Sequence, residues 1–393
     1  MNILFVATDY PKRGEPTTGF PNYLYRVSLA LIELGHRPMI LTAGNTDSQR
    51  TERGIKIQTV KVPLLLGERW QTGKYIYNAL QMGWILNRKI REIAREAHID
   101  VIQFTSLSGV AMFYFGRTPA VLRLSSYAKT YFSSLQTLSK TRVNVMSLLE
   151  RMSAKRCSAV FAPCKITADA FGKDCHRKVS VIETPFVNDV QKYNTQFFEK
   201  RLKDKKYVLF FGTLYAEKGV FVIAEILERF LRENPDYYFV FVGQEYKVNG
   251  IGTAQILYEK AGECARRVII SNAVSHNQLY PIISKAEFIV LPSLMDNLPN
   301  TCIEAMYFKR VVIGTDGASF EQLITHGKNG LLCRIGDSSD LFEKMQMAVS
   351  MTPEERAYMG KLAKKRIDRL KPEYAVKKLV QFYEYVIEKS RRG

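Results

Sequence analysis

The chain has 393 residues, 46% of them apolar and 24% charged, and its 57 Lys and Arg against 38 Asp and Glu give a net charge of +19. That length holds two domains with a core each, and the composition is that of a soluble globular protein. No apolar run is long enough to span a bilayer, and Met1-Asn2 leads straight into an apolar strand with no basic leader or cleavage site, so the expected location is cytoplasmic.

The charge is unevenly placed. Residues 1–200 carry 28 basic and 15 acidic side chains, residues 201–360 carry 18 and 19, and residues 361–393 carry 11 and 4. The basic first half and tail fit either a shared surface turned toward something anionic or an ordinary soluble basic exterior. Nucleic acid is not the expected partner, because no recognisable nucleic-acid module is present and the basic residues are dispersed. The six cysteines (Cys157, Cys164, Cys175, Cys264, Cys302, Cys333) show no paired short spacing and no histidines at metal-ligand intervals, and are read as reduced, mostly buried thiols.

In chain order, Ile3 to Thr8 reads as an apolar strand followed by a Gly/Pro-rich loop from Tyr10 to Pro21. The next helix puts Leu24, Val27, Leu31 and Leu34 on one face and stops at Gly35, and Arg37 to Thr42 is another strand. This strand–loop–helix–strand order indicates a parallel sheet. Residues 62–96 hold both tryptophans, Trp70 and Trp84, among tyrosines, leucines and basic residues. That stretch fits a core helix with a solvated basic face or a groove or interfacial surface for a lipid-linked partner. Asp100 to Phe104, Ala120 to Ser125 and Ser158 to Pro163 read as further strands, with a second aromatic-basic region from Tyr127 to Arg156 between them.

Charged residues from Lys192 to Lys206 mark the expected domain junction. The alternation then repeats, with strands at Tyr207–Phe211, Tyr237–Val242, Arg267–Ser271, Phe288–Leu291 and Val311–Thr315, and helices at Ile223–Leu231, Asn277–Lys285 and Thr301–Phe308. Thr352-Pro353-Glu354-Glu355 is a capping box, and the final helix, about Pro372 to Glu388, carries the stripe Val376, Leu379, Tyr383 and Val386. The most informative stretch runs from Ile289 to Glu304. A strand ends at Pro292-Ser293, Asp296 precedes the turn Asn297-Leu298-Pro299, and Asn300-Thr301 opens a helix that carries Glu304. Two acids eight residues apart beside a helix start fit either capping or the binding of hydroxyl groups, with backbone N–H donors next to them for a phosphate.

This segment resembles the acid-x7-acid signature of the family 4 retaining glycosyltransferases, with Asp296 at the position where that family usually has Glu. Gly212-Thr213-Leu214-Tyr215-Ala216-Glu217-Lys218-Gly219 lacks the Walker pattern but is similar to the family's phosphate-binding loop, with Lys218 matching its Lys and Thr213 standing in place of its Arg. Gly19 lies in the register of the opening loop glycine that approaches the donor diphosphate in the family. Histidines that many members carry near two first-domain strand ends are absent: Gln103 or Thr105, and Ser125, occupy those places, with Arg123 and Ser125 as acceptor-side replacements.

The resemblance implies an α/β protein of the GT-B class, two doubly wound Rossmann-like domains facing a cleft. Residues 1–195 would bind the acceptor, 196–370 the nucleotide-sugar donor, and 371–393 would form a helix crossing back onto the first domain. It implies sugar transfer from a nucleoside diphosphate donor to a hydroxyl of a glycan or lipid-linked acceptor in cell-surface polysaccharide synthesis, with retention. Lys218, Asp296 and Glu304 would be the catalytic group, and Gly19, Gly212, Thr213, Asn297, Leu298, Pro299 and Asn300 would line the donor. The lack of an Asp-x-Asp triplet, the metal-holding device of the other major glycosyltransferase fold, adds the expectation that no metal or cofactor is needed. The basic blocks add peripheral association with the inner membrane face. A nucleotide-sugar epimerase or a silent glycan-binding relative on the same fold is the alternative.

Overall fold

The computed structural model describes residues 1–10, 19–65, 72–135, 138–248 and 250–392. Trp70 and most of the first Gly/Pro-rich loop lie outside them. The chain divides into two compact units, Met1–Val187 with Leu370–Gly393, and Asn188–Arg369.

The first unit is built on an eight-stranded sheet of β1 (Asn2–Ala7), β2 (Arg37–Gly44), β3 (Ser48–Glu52), β4 (Ile55–Lys61), β5 (Val101–Thr105), β6 (Ala120–Arg123), β7 (Ala159–Ala162) and β8 (Ser180–Val181). Their order is β3-β4-β2-β1-β5-β6-β7-β8, and every pairing is parallel except β3 with β4. The edge strand β3 and its neighbour β4 were not foreseen: their mostly polar residues leave no apolar run to read. Among the described residues, the α-helices of this part of the chain are α1 (Gly19–Glu33), α2 (Thr72–Glu96), α3 (Ala128–Leu135), α4 (Lys140–Arg156) and α5 (Lys165–Cys175).

β1 is buried along its length because helices cover both sheet faces, as parallel strands require. Ile3, Phe5 and Ala7 face one cluster with α1, and Leu4 and Val6 face another with α2 and α5. The final helix of the chain belongs to this unit. Val376, Leu379, Tyr383 and Val386, the four residues of its expected stripe, are buried in the same cluster as α1. Gly19 opens α1 and so lies in the first helical turn, not in the preceding loop. Pro21 is tolerated there because first-turn N–H groups have no helical partner.

The second unit contains α6 (Gln196–Arg201), β9 (Lys206–Phe211), α7 (Val220–Glu233), β10 (Tyr237–Val242), the short hairpin β11 (Lys247–Val248) and β12 (Ile251–Gly252), and α8 (Thr253–Ala261). It continues with β13 (Val268–Ser271), α9 (His276–Lys285), β14 (Phe288–Leu291), α10 (Asn300–Tyr307), β15 (Val311–Asp316), β16 (Leu331–Arg334), α11 (Ser338–Ser350) and α12 (Pro353–Ile367). Helix α13 (Pro372–Arg392) follows and returns to the first unit. The parallel order β13-β10-β9-β14-β15-β16 places the reversal of strand order between β9 and β14. In open α/β sheets, ligands bind outside the carboxyl ends of strands at such a reversal. The capping box at Thr352 and Glu355 forms as expected. All six cysteines are free, and all but Cys175 are buried.

Glu150 in α4 is a buried acid, 5% exposed, whose Oε2 accepts the Ala128 N–H at 3.1 Å. Burial pushes its carboxyl up to about 8, so at neutral pH it is held as the acid. Because the folded-state value is raised, the folded chain binds a proton that the unfolded chain has released, and stability falls as pH rises from about 4.5 toward 8. Glu150→Gln should therefore raise the melting temperature at pH 8.5 and change it little at pH 5. Differential scanning fluorimetry across that range checks this, and an equal shift at both ends would contradict it.

Candidate active site

The residues singled out in the second unit converge on the carboxyl ends of β9 and β14. After β9 the chain passes Gly212, at φ 130°, and Gly219, at φ 74°, which opens α7. A Cβ at Gly219 would lie 1.8 Å from the Pro292 carbonyl oxygen, so only glycine lets this turn sit against the end of β14. The Leu294 N–H then donates to the Glu217 carbonyl at 2.9 Å, locking the two loops backbone to backbone.

That lock sets Lys218 against Asp296, with Nζ 2.6 Å from Oδ2 and side chains 31% and 15% exposed. Asp296 is fixed from two further directions. Its Oδ1 accepts the Asn297 N–H at 2.9 Å, and its carbonyl accepts the Ser319 hydroxyl at 3.2 Å. Ser319 is buried at φ 69°, a backbone strain for a non-glycine residue that is held in place by its surroundings. The expectation that N–H groups from Asn297 to Asn300 serve an anion needs correcting in detail. Asn297 has already committed its donor to Asp296, and Pro299 has none, so Leu298 and Asn300 carry the remaining N–H groups of that turn. No side chain caps α10.

Glu304 sits on the second turn of α10, 9% exposed at its side chain, with Oε1 3.4 Å from His276 Nε2. Thr301 on the same helix approaches Gly212: a Cβ there would be 3.6 Å from the Thr301 methyl. Thr213 is half-buried beside it. Gly212, Thr213, Lys218, Asp296 to Asn300 and Glu304 thus occupy one neighbourhood of the second unit. Sequence reasoning missed His276, which is isolated in the sequence and reaches Glu304 only through the fold. It also missed Ser319. Among the described residues, no group of three or more His, Cys, Asp or Glu side chains is placed to hold a metal ion.

Gly19, Arg123 and Ser125 belong to the first unit. Arg123 is 5% exposed, with its guanidinium over the Tyr23 ring at 3.8 Å and donating to Ser125 Oγ at 3.0 Å and Thr184 Oγ1 at 3.2 Å. Burial lowers its pKa from the ordinary arginine value. Gln103 is fully buried and accepts the Tyr383 hydroxyl at 2.6 Å and the Tyr23 hydroxyl at 3.4 Å. It joins β5 to α1 and α13, an interior role that its strand pattern did not announce.

Residues 17–186 match the model described as Glycosyltransferase Family 4, and residues 192–366 match Glycosyl transferases group 1. The chain is 26% identical over 283 residues to the alpha-D-kanosaminyltransferase of Streptomyces kanamyceticus, covering 67% of this chain and 71% of that one. It is 26% identical over 185 residues to the GDP-mannose:cellobiosyl-diphosphopolyprenol alpha-mannosyltransferase of Xanthomonas campestris, covering 47% of each, so that match spans about half of either protein. Among solved structures it is similar to sucrose-phosphate synthase from Thermosynechococcus elongatus, with a TM-score of 0.77, 16% identity and 99% of both chains covered. It is also similar to Anabaena HepE in complex with UDP and glucose, with a TM-score of 0.71, 16% identity, and 98% of this chain and 100% of that one covered. The fold is therefore of the GT-B class, and the chain belongs to the family 4, group 1 glycosyltransferases.

Proposed function

We propose that this glycosyltransferase moves a sugar from a nucleoside diphosphate donor to a hydroxyl of a glycan or lipid-linked acceptor, with retention and without a metal ion. The observation that carries the reading is the pairing of Lys218 with Asp296 at the β9–β14 reversal, with Glu304 on the helix that starts there. The bound UDP of the Anabaena neighbour and the diphosphopolyprenol in the name of the Xanthomonas relative support the two substrate classes.

In this reading the bond between the anomeric carbon and the donor phosphate breaks through an oxocarbenium-like state. The acceptor oxygen bonds to the same face, and its proton passes to the departing phosphate oxygen. Charge develops on the diphosphate, and a preorganised cation answers it at no cost in reorganisation. Lys218 has three N–H donors, enough to keep Asp296 and serve a phosphate oxygen together. Asp296 accepts from a sugar hydroxyl and Glu304 from the ribose hydroxyls, while Leu298 and Asn300 supply backbone donors. Thr213 replaces the family's Arg, which leaves more of the diphosphate charge to Lys218.

Glu304→Gln removes a charge-assisted acceptor worth about 1.5–3 kcal/mol, so nucleoside diphosphate affinity should fall about ten- to hundredfold by calorimetry. A folded variant with unchanged affinity would refute the ribose role. Lys218→Met should lower kcat by about 10²–10³ and nucleotide affinity far less, because its interaction strengthens in the transition state. Retention of most of the rate at saturating donor would rule that out. Release of nucleoside diphosphate, followed by mass spectrometry, should depend on acceptor; a rearranged sugar nucleotide without release would mark an epimerase instead. Turnover should persist in EDTA, and a complete loss that magnesium or manganese restores would overturn the metal-free scheme.

The membrane reading rests on the first unit. Leu64, Leu65, Tyr77 and Leu80 are exposed together, the Leu65 N–H being docked on Asn78 of α2, and α4 exposes Leu148 and Met152 among Arg151, Lys155 and Arg156. Phe115, 68% exposed, lies 4.1 Å from the Arg156 guanidinium. Among the described residues no helix is long and apolar enough to cross a membrane, so association would be peripheral. An anionic leaflet contributes about 1 kcal/mol for each nearby Lys or Arg. Co-sedimentation with anionic vesicles should be strong at low salt, weaken as salt rises, and be absent with neutral vesicles. Protein left in the supernatant under all three conditions removes the membrane from the scheme.

A further inference from the structure

On the far edge of the first unit's sheet, away from the β1–β5 reversal, a groove of about 670 Å³ runs between the β3–β4 pair and α2. Its volume is that of a ligand cleft, about 300–1,000 Å³. Gln49 and Gln58 stand directly opposite each other across the antiparallel pair. They share the sheet face of Val60, which packs toward the α2-side cluster, so the two amides are turned to α2. Among the described residues neither amide has a protein hydrogen-bond partner. The other wall presents Trp84, 53% exposed, with the Arg88 guanidinium 5.9 Å from its ring.

The lining chooses its ligand. An exposed indole offers a flat apolar face, which normally costs hydrophobic stabilisation unless something covers it. Apart from Val60 and Ile85 the rest of the groove is hydroxyl, amide, carboxylate and cation, a poor lining for an acyl chain. Asp47 and Glu92 sit among Lys61, Arg88 and Lys89, so the charges nearly cancel and a polyanion gains little. A pyranose has what this surface complements: an apolar C–H face for Trp84, and a rim of hydroxyls that donate and accept as the Gln49 and Gln58 amides do. Two amides side by side can each span a pair of neighbouring hydroxyls.

We propose that this groove is a second saccharide-binding site, separate from the transfer site, which takes an uncharged oligosaccharide segment of the acceptor or product glycan. The proposal rests on the reading of the chain as a transferase acting on a glycan, and its test reads binding, not transfer.

The test uses the full chain carrying Trp70→Phe, so that Trp84 is the sole tryptophan, titrated with hexasaccharides of glucose in α-1,4 and β-1,4 linkage, of β-1,4-xylose and of β-1,4-N-acetylglucosamine. At least one should shift Trp84 emission saturably in the millimolar range. Gln49→Ala and Gln58→Ala should each weaken it about fivefold, the worth of one ordinary hydrogen bond. Nucleoside diphosphate affinity should be unchanged in both variants. Saturation-transfer NMR on the wild-type chain with the same sugars repeats the measurement without any tryptophan replacement. No binding to any of them at tens of millimolar, by either method, overturns the proposal, as does binding that survives loss of both amides. Wild-type chain that binds hexasaccharide but no nucleoside diphosphate would instead defeat the donor reading while leaving the groove intact.

Discussion

The second unit's chemistry depends on one backbone contact, the lock between the turn after β9 and the end of β14. Gly219 is pressed against the Pro292 carbonyl and Leu294 is bonded to Glu217, so two loops from strands far apart in sequence become a single rigid edge. The ion pair of Lys218 with Asp296 is downstream of that contact. At 31% and 15% exposure it would contribute modestly to stability on its own, because such pairs are screened by solvent. Its value is positional. In the proposed reaction a cation is held where charge would appear; the Asn297 N–H orients the Asp296 carboxylate that holds it, and Ser319 fixes the Asp296 backbone.

Much of the second unit was legible because buried parallel strands write long apolar runs. Tyr237–Val242 and Phe288–Leu291 form with the boundaries that the runs suggest, and α10 starts one residue before the expected Thr301. The acid spacing between Asp296 and Glu304 was equally plain, since a strand end, a turn and a helix start are local events. His276 was not legible, because its distance to Glu304 is set by how α9 and α10 pack and no short-range pattern records it. In the first unit the strands β3 and β4 escaped for the opposite reason: an edge pair with one solvated face has little apolar signal to give. Gly19 fell on the wrong side of a helix boundary, the least certain feature of any sequence reading.

The first unit also replaces expected chemistry with architecture. Near the ends of β5 and β6 this chain has a buried Gln103 that receives two tyrosine hydroxyls, and an Arg123 enclosed by Tyr23, Ser125 and Thr184. Arg123 has no carboxylate partner among its described contacts, so aromatic faces and hydroxyl oxygens stabilise the cation in place of a counter-charge. A guanidinium tied in this way is poorly placed to swing toward a ligand.

The return of α13 to the first unit has a consequence for synthesis on the ribosome. Val376, Leu379, Tyr383 and Val386 are part of the core that covers one face of the first sheet, yet they are separated from the rest of it by the 182 residues of Asn188–Arg369. Translation at about 5–20 residues per second puts roughly ten to forty seconds between the emergence of the first 187 residues and that of their last helix. During that interval the sheet face with Phe5, Val27 and Ile57 lacks part of its cover, whereas the second unit is complete as soon as it emerges. The nascent chain must therefore finish its folding in the order second unit, then first, with an apolar surface waiting for its closing helix.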